Sequence, residues 1–123
     1  MQRLTAQFLL AFFVCSLSLL AHAQSYIYDG TKTKLLIDVR TAQEFDAGHV
    51  AGAKNIPYDQ ISAGIGQIKG IQKDAPILLY CRSGHRAGIA KQTLEGLGFQ
   101  KIQNGGGMDT LMAKLKVCNE PNC

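Results

Sequence analysis

The sequence predicts an α/β sandwich: a mainly parallel central sheet with helices on both faces. Two apolar runs, KLLIDV (34–39) and APILLY (75–80), have the length and unbroken hydrophobicity of strands buried on both sides. Helix-sized stretches follow each run after links of a few residues. Strands alternating with helices in this way return to the sheet in parallel.

The chain of 123 residues is long enough for one domain with a real core. Its first 23 residues read as a leader rather than as part of the fold. Arg3 supplies a positive start, FLLAFFVCSLSLL (8–20) an apolar stretch, and AHA (21–23) small residues before a cut at Gln24. The apolar run has 13 residues, short of the roughly 20 that cross a bilayer. A lipid-anchored reading would need a small residue before Cys15, and Val14 is not one. The expectation is a cleaved signal peptide at 1–23, one folded domain at 24–117 and a short tail at 118–123. The mature protein is then periplasmic or secreted, a monomer, with no stable membrane association.

Along the domain, Thr41 and Glu44 form a T-x-x-E capping box that opens a short helix ending at Gly48. In 57–72, Ile61, Ile65 and Ile68 have helical spacing, but Gly64 and Gly66 interrupt them. RAGIAKQTLEGLG (86–98) predicts a helix with Ile89, Leu94 and Leu97 inward and a stop at Gly98. KIQ (101–103) has strand character, and MDTLMAKLKV (108–117) reads as a last amphipathic helix.

The formal net charge is +4, and the lysines are scattered. No basic stripe interleaved with aromatics is present, which argues against nucleic acid as a partner. The balance supports a favourable field for small anions. Of the four cysteines, Cys15 belongs to the leader. Cys118 and Cys123 flank the turn-forming NEPN and are expected to pair in an oxidising compartment, leaving Cys81 free; free or swapped tail thiols are the alternative. Two cysteines without a nearby histidine or second pair are too few for a metal site. Neither a metal nor an organic cofactor is expected.

The chemistry concentrates in LLYCRSGHRAG (78–88). In open α/β sheets, sites form where strands end and helices begin, and Cys81 stands at such a junction. A helix N-terminus stabilises an anion beside it. Arg82 and Arg86 add full charges, so the loop favours a thiolate. Gly84 can turn backbone N–H groups inward as an anion nest. Phosphatases and arsenate reductases with such loops use Cys-x5-Arg, whereas Arg86 stands at Cys-x4-Arg. The tighter ring of 81–86 suits one extra sulfur on Cys81 better than a phosphoryl group.

With these residues in view, the sequence resembles the rhodanese family. LIDVRTAQEFDAGHVAGAKNIP (36–57) is similar to the family's N-terminal signature, YCRSGHRA (80–87) to its active-site loop, and NGGGMDTL (104–111) to the Gly-Gly segment opening its last helix. The likeness is to a single-domain, exported member of the periplasmic phage-shock type. It implies a rhodanese domain at 24–117 and a ping-pong thiosulfate sulfurtransferase, with Cys81 as nucleophile and persulfide carrier. The donor is then a small sulfur anion, thiosulfate, and the acceptor a thiol or cyanide. Arg82 and Arg86 are the expected partners of the dianion, since a guanidinium grips oxyanions with two donors. Ser83 and Gly84 serve through their backbone, and His85 tunes charge near the loop. Asp38, Arg40 and Glu44 look like an ion network fixing the chain near the site, and His49 like a buried, satisfied structural histidine. Two rival readings keep the same cysteine. One is a persulfide carrier or redox-linked binding module with protein donor and acceptor; the other is a phosphatase or arsenate reductase on the same fold.

Overall fold

The structure, a computed structural model, describes residues 24–119 and Cys123. The expected leader, with Cys15, lies outside the described residues. In chain order the elements are β1 (Gln24–Tyr28), β2 (Thr31–Thr33), β3 (Leu35–Asp38), α1 (Ala42–Ala47) and β4 (Lys54–Asn55). A 3-10 turn at Tyr58–Gln60 leads into α2 (Ile61–Ile65). Then follow β5 (Ile77–Cys81), α3 (His85–Gly96), β6 (Ile102–Gly107), α4 (Met108–Lys114) and β7 (Lys116–Asn119).

The central sheet has the order β4-β3-β5-β6, and each of its pairs is parallel. Both predicted apolar strands are its middle members, and every residue of β3 and β5 is buried. Successive strand side chains point to opposite faces, which divides the core in two. Leu35, Ile37, Ile77 and Leu79 pack with α2 and α3 through Ile61, Ile65, Ala90 and Leu94. Leu36, Leu78 and Tyr80 pack on the other face with Leu111 of α4 and with Tyr26 and Tyr28 of β1. Helices therefore cover both faces, as expected.

Three features depart from the sequence reading. A second, antiparallel sheet of order β2-β1-β7 closes the α4 face. Its strands QSYIY, TKT and KVCN are short and mixed in polarity; the one local sign of the first two, missed in the sequence, is Asp29-Gly30, the two-residue hairpin turn with both residues at positive φ. The last helix stops at Lys114, because Leu115 is already extended at φ −71°, ψ 128° and feeds β7. Finally, α3 turns Ala87, Ala90 and Leu94 inward, while Ile89 and Leu97 are 38% and 41% exposed. A helix launched directly from the end of its strand lies close on the sheet, and alanine is the side chain that fits there.

The capping box of α1 is complete. The Glu44 N–H donates to Thr41 Oγ1 at 3.2 Å, and the Thr41 N–H donates to Glu44 Oε2 at 2.9 Å. Cys118, in β7, is joined to Cys123 with their Cα atoms 5.6 Å apart, and Cys81 is free.

Candidate active site

Cys81 is the last residue of β5, and α3 begins four residues later at His85. Gly84 makes the reversal possible, with a left-handed φ of +94° that side-chain-bearing residues rarely adopt. The turn aims its backbone inward: the Gly84 N–H donates to Cys81 Sγ at 2.9 Å. Cys81 itself is 0% exposed. Arg82, Ser83 and His85 are exposed around it.

The loop rests on the glycine run that ends β6. Gly107 pairs with Cys81 across a register irregularity. A Cβ added to Gly107 would stand 2.4 Å from the Arg82 carbonyl oxygen, so a side chain has no room there. Asn104 ties the same two segments together. Its Nδ2 donates to the Gly84 carbonyl at 3.0 Å, and its Oδ1 accepts from the Gly106 N–H at 2.9 Å. Sequence reasoning did not single out Asn104; a polar residue ahead of three glycines looks like an ordinary turn.

The predicted network residues divide into two pairs. Asp38 and Arg40 form a buried one, with Arg40 Nε 3.0 Å from each carboxylate oxygen and Nη2 2.6 Å from Oδ2. The same Nη2 donates to the Gly48 carbonyl at 2.7 Å, fixing the end of α1. The hydrogen bond to Asp38 raises the pKa of Arg40 further. Tyr80 lies beneath; burial pushes its phenol well above the ordinary range, and its oxygen accepts from the Val50 N–H at 3.0 Å. Asn55, another residue missed at first, donates to the carbonyls of Asp38 and Arg40 at 3.1 and 3.0 Å.

The second pair is Glu44 with Arg86, whose two terminal nitrogens reach the carboxylate at 2.8 and 3.0 Å. This takes Arg86 as a carboxylate partner in the structure, where the sequence pointed to an anion in the loop. Glu44 raises the pKa of Arg86, with a smaller contribution from Cys81. His49 corrects an expectation. It is exposed rather than buried, stacked on Phe45 at 3.6 Å between ring centroids, with Nδ1 2.8 Å from the Phe45 carbonyl. Helix α1 buries none of its residues, so His49, beside it, has no core to enter.

The side-chain hydrogen bond from Arg86, followed by the backbone N–H of Thr41, lowers the Glu44 pKa from 4.5 to about 2. A carboxylate depressed in the folded state stabilises the fold above its unfolded pKa and loses that contribution as pH falls through the folded one. Both partners are partly exposed, so screening limits the gain to about 1 kcal/mol. Glu44→Gln is therefore expected to be less stable than wild type at pH above 4.5, with the gap closing as pH falls through about 2. Urea midpoints measured against pH test this; a gap that stays constant would remove the pair as its origin.

A cleft of about 260 Å³ opens beside the loop, lined by Arg40, Glu44, Ala47, Arg82, Met108 and Asp109. It lies at the carboxyl edge of the sheet, where β3 delivers Asp38 and β5 delivers Cys81. Cys118 and Cys123 belong to the antiparallel sheet and its tail and do not line it. The arrangement offers a covered sulfur, a backbone donor aimed at it and a charged approach.

The chain is similar to known proteins in sequence and fold. The family model for the rhodanese-like domain matches residues 20–111. The uncharacterized protein YqhL of Bacillus subtilis is 40% identical over 89 residues, 72% of this chain and 68% of the relative. Thiosulfate sulfurtransferase PspE of Escherichia coli is 35% identical over 81 residues, 65% of this chain and 77% of the relative. Among solved structures, a rhodanese with anions from E. coli superposes with a TM-score of 0.60 at 29% identity, covering 67% of this chain and 95% of that one.

Proposed function

Because the chain belongs to the rhodanese-like domain family, we propose that it moves the sulfane sulfur of thiosulfate to a thiophilic acceptor through a persulfide on Cys81. The observation that carries this reading is the Gly84 N–H donated to the sulfur of a free cysteine at a strand-to-helix junction. A preorganised donor of this kind stabilises negative charge on the sulfur as it is formed and discharged. The naming of PspE as a thiosulfate sulfurtransferase supports the choice of donor.

In the first half-reaction the Cys81 thiolate attacks the outer sulfur of thiosulfate. A bond forms between Sγ and that sulfur, the S–S bond of thiosulfate breaks, and sulfite leaves with the electron pair. In the second, cyanide or a thiolate takes the outer sulfur, and Cys81 leaves as thiolate. Arg82, exposed on the cleft, meets the incoming dianion. Arg86 acts as a fixed positive charge held by Glu44. Ser83, Gly84 and His85 form the wall of the loop, which must shift to admit the donor, since Cys81 is covered. Asp38, Arg40, Glu44 and His49 hold α1 and the strand ends in place. The six-residue ring from Cys81 to Arg86 is too tight for the phosphoryl chemistry of the longer loop.

The same reading takes residues 1–23 as a cleaved leader, 24–117 as the catalytic domain and 118–123 as a tail tied by the Cys118–Cys123 disulfide. It describes a periplasmic or secreted monomer.

Intact mass before and after thiosulfate tests the reaction. The expected result is a gain of about 32 Da, one sulfur, that cyanide removes. A mass that does not change would remove thiosulfate as the donor.

A further inference from the structure

Two charges on the cleft remain available as a pair. Arg82 leaves the end of β5 and Asp109 stands in the first turn of α4. The pairing of Cys81 with Gly107 brings these two departures side by side, and both residues line the cleft. The other charged groups of the cleft are engaged: Arg40 by Asp38 and the Gly48 carbonyl, Glu44 by Arg86. Among the described residues, neither the Arg82 nor the Asp109 side chain has a hydrogen-bonding or ionic partner, and both residues are exposed. Ala47 and Met108 supply apolar wall in the same space.

We propose that this cleft selects a small zwitterionic thiol as sulfur acceptor, one carrying an ammonium and a carboxylate as a free amino acid does. This rests on the reading of Cys81 as the persulfide carrier. Arg82 takes the carboxylate, for which its forked donors are suited, and Asp109 takes the ammonium. The apolar walls of Ala47 and Met108 meet the carbon chain between the charges. A ping-pong sequence lets Arg82 serve both half-reactions, because sulfite has left before the thiol enters. The acceptor thiolate attacks the outer sulfur of the persulfide; a new S–S bond forms, and Cys81 departs with the electron pair of the old one. No oxidant is required.

The pair also rejects. A thiol with a carboxylate alone faces Asp109 without a counter-charge, and one with an ammonium alone faces Arg82 in the same way. A cysteine inside a protein chain offers neither free group. The cleft volume of about 260 Å³ lies near the lower end for small-molecule sites, which fits an amino-acid-sized thiol.

The test uses the full protein loaded with thiosulfate and freed of excess donor. Loss of the added sulfur is timed by mass with cysteine, cysteamine or mercaptopropionate at equal thiolate concentration. Cysteine is expected to react faster than either single-charge thiol, by about two- to five-fold for each charge removed, as for other solvent-exposed pairs. In Asp109→Asn the advantage of cysteine over mercaptopropionate disappears, and Asp109→Glu restores it. Equal rates for the three thiols, or an unchanged preference in folded Asp109→Asn, overturn this proposal alone. A wild-type chain that never loads overturns it together with the sulfurtransferase reading.

Discussion

Cys81→Ser is expected to give a folded protein that gains no sulfur from thiosulfate. The substitution exchanges one buried atom at the end of β5. A hydroxyl can still accept from the Gly84 N–H that now reaches Sγ at 2.9 Å. The fold therefore loses only what a small buried substitution costs, about 1 kcal/mol. The chemistry has no such substitute. A serine hydroxyl is a weak nucleophile without an adjacent base, and it cannot store sulfur as a persulfide. Intact mass and a thermal melt on the same sample separate the two effects. A variant that still gains one sulfur would transfer the nucleophile's role to Cys118 and Cys123, the other cysteines of the described chain.

Asp38→Ala is expected to be the most destabilising substitution around the site. Asp38 is 0% exposed and Arg40 7%. The carboxylate meets Arg40 Nε, Arg40 Nη2 and the Arg40 N–H. Removing it strands a guanidinium that retains the Gly48 carbonyl and the face of Tyr80, 5.8 Å from the ring centroid. Neither neutralises a full charge. Breaking one side of a buried pair costs about 3–5 kcal/mol, a large share of the stability of one domain. Urea unfolding measures the loss. A change below about 1 kcal/mol would mean that water reaches Arg40 and screens it as at the surface. The damage would extend to the cleft, because the same guanidinium anchors Gly48 at the end of α1, and α1 carries Glu44 and Ala47 to it.

What the sequence disclosed follows the range of the forces involved. β3 and β5 were legible because burial on both faces leaves an unbroken apolar run. The capping box of α1 was legible because its two hydrogen bonds lie within four residues. β7 was not, since it becomes a strand through a partner nearly the whole described chain away, and β1 and β2 were not, since their hairpin is short and mixed in polarity. The inward face of α3 was misjudged for another reason. Ala87 and Ala90 carry little hydrophobicity, and it is close approach to the sheet that buries them. At the site, the Cys81 loop was readable from its charges and glycine. Asn104 and Asp109 escaped notice because one looks like a turn residue and the other like an ordinary acidic start to a helix. The pairing of Arg86 with Glu44 joins residues 42 positions apart, and spacing alone does not decide it against an anion in the loop.

The β1–β7 pairing has a consequence for the order of assembly. Tyr26 meets Val117 and Ser25 meets Cys118, contacts that span nearly the whole described chain. Contacts so distant in sequence close the largest loops and gain least until the intervening chain is already compact. The parallel strands that present Cys81 join residues much nearer in sequence. The edge that carries Cys81 is therefore expected to take shape while the antiparallel sheet is still open, with the β1–β7 pairing closing last.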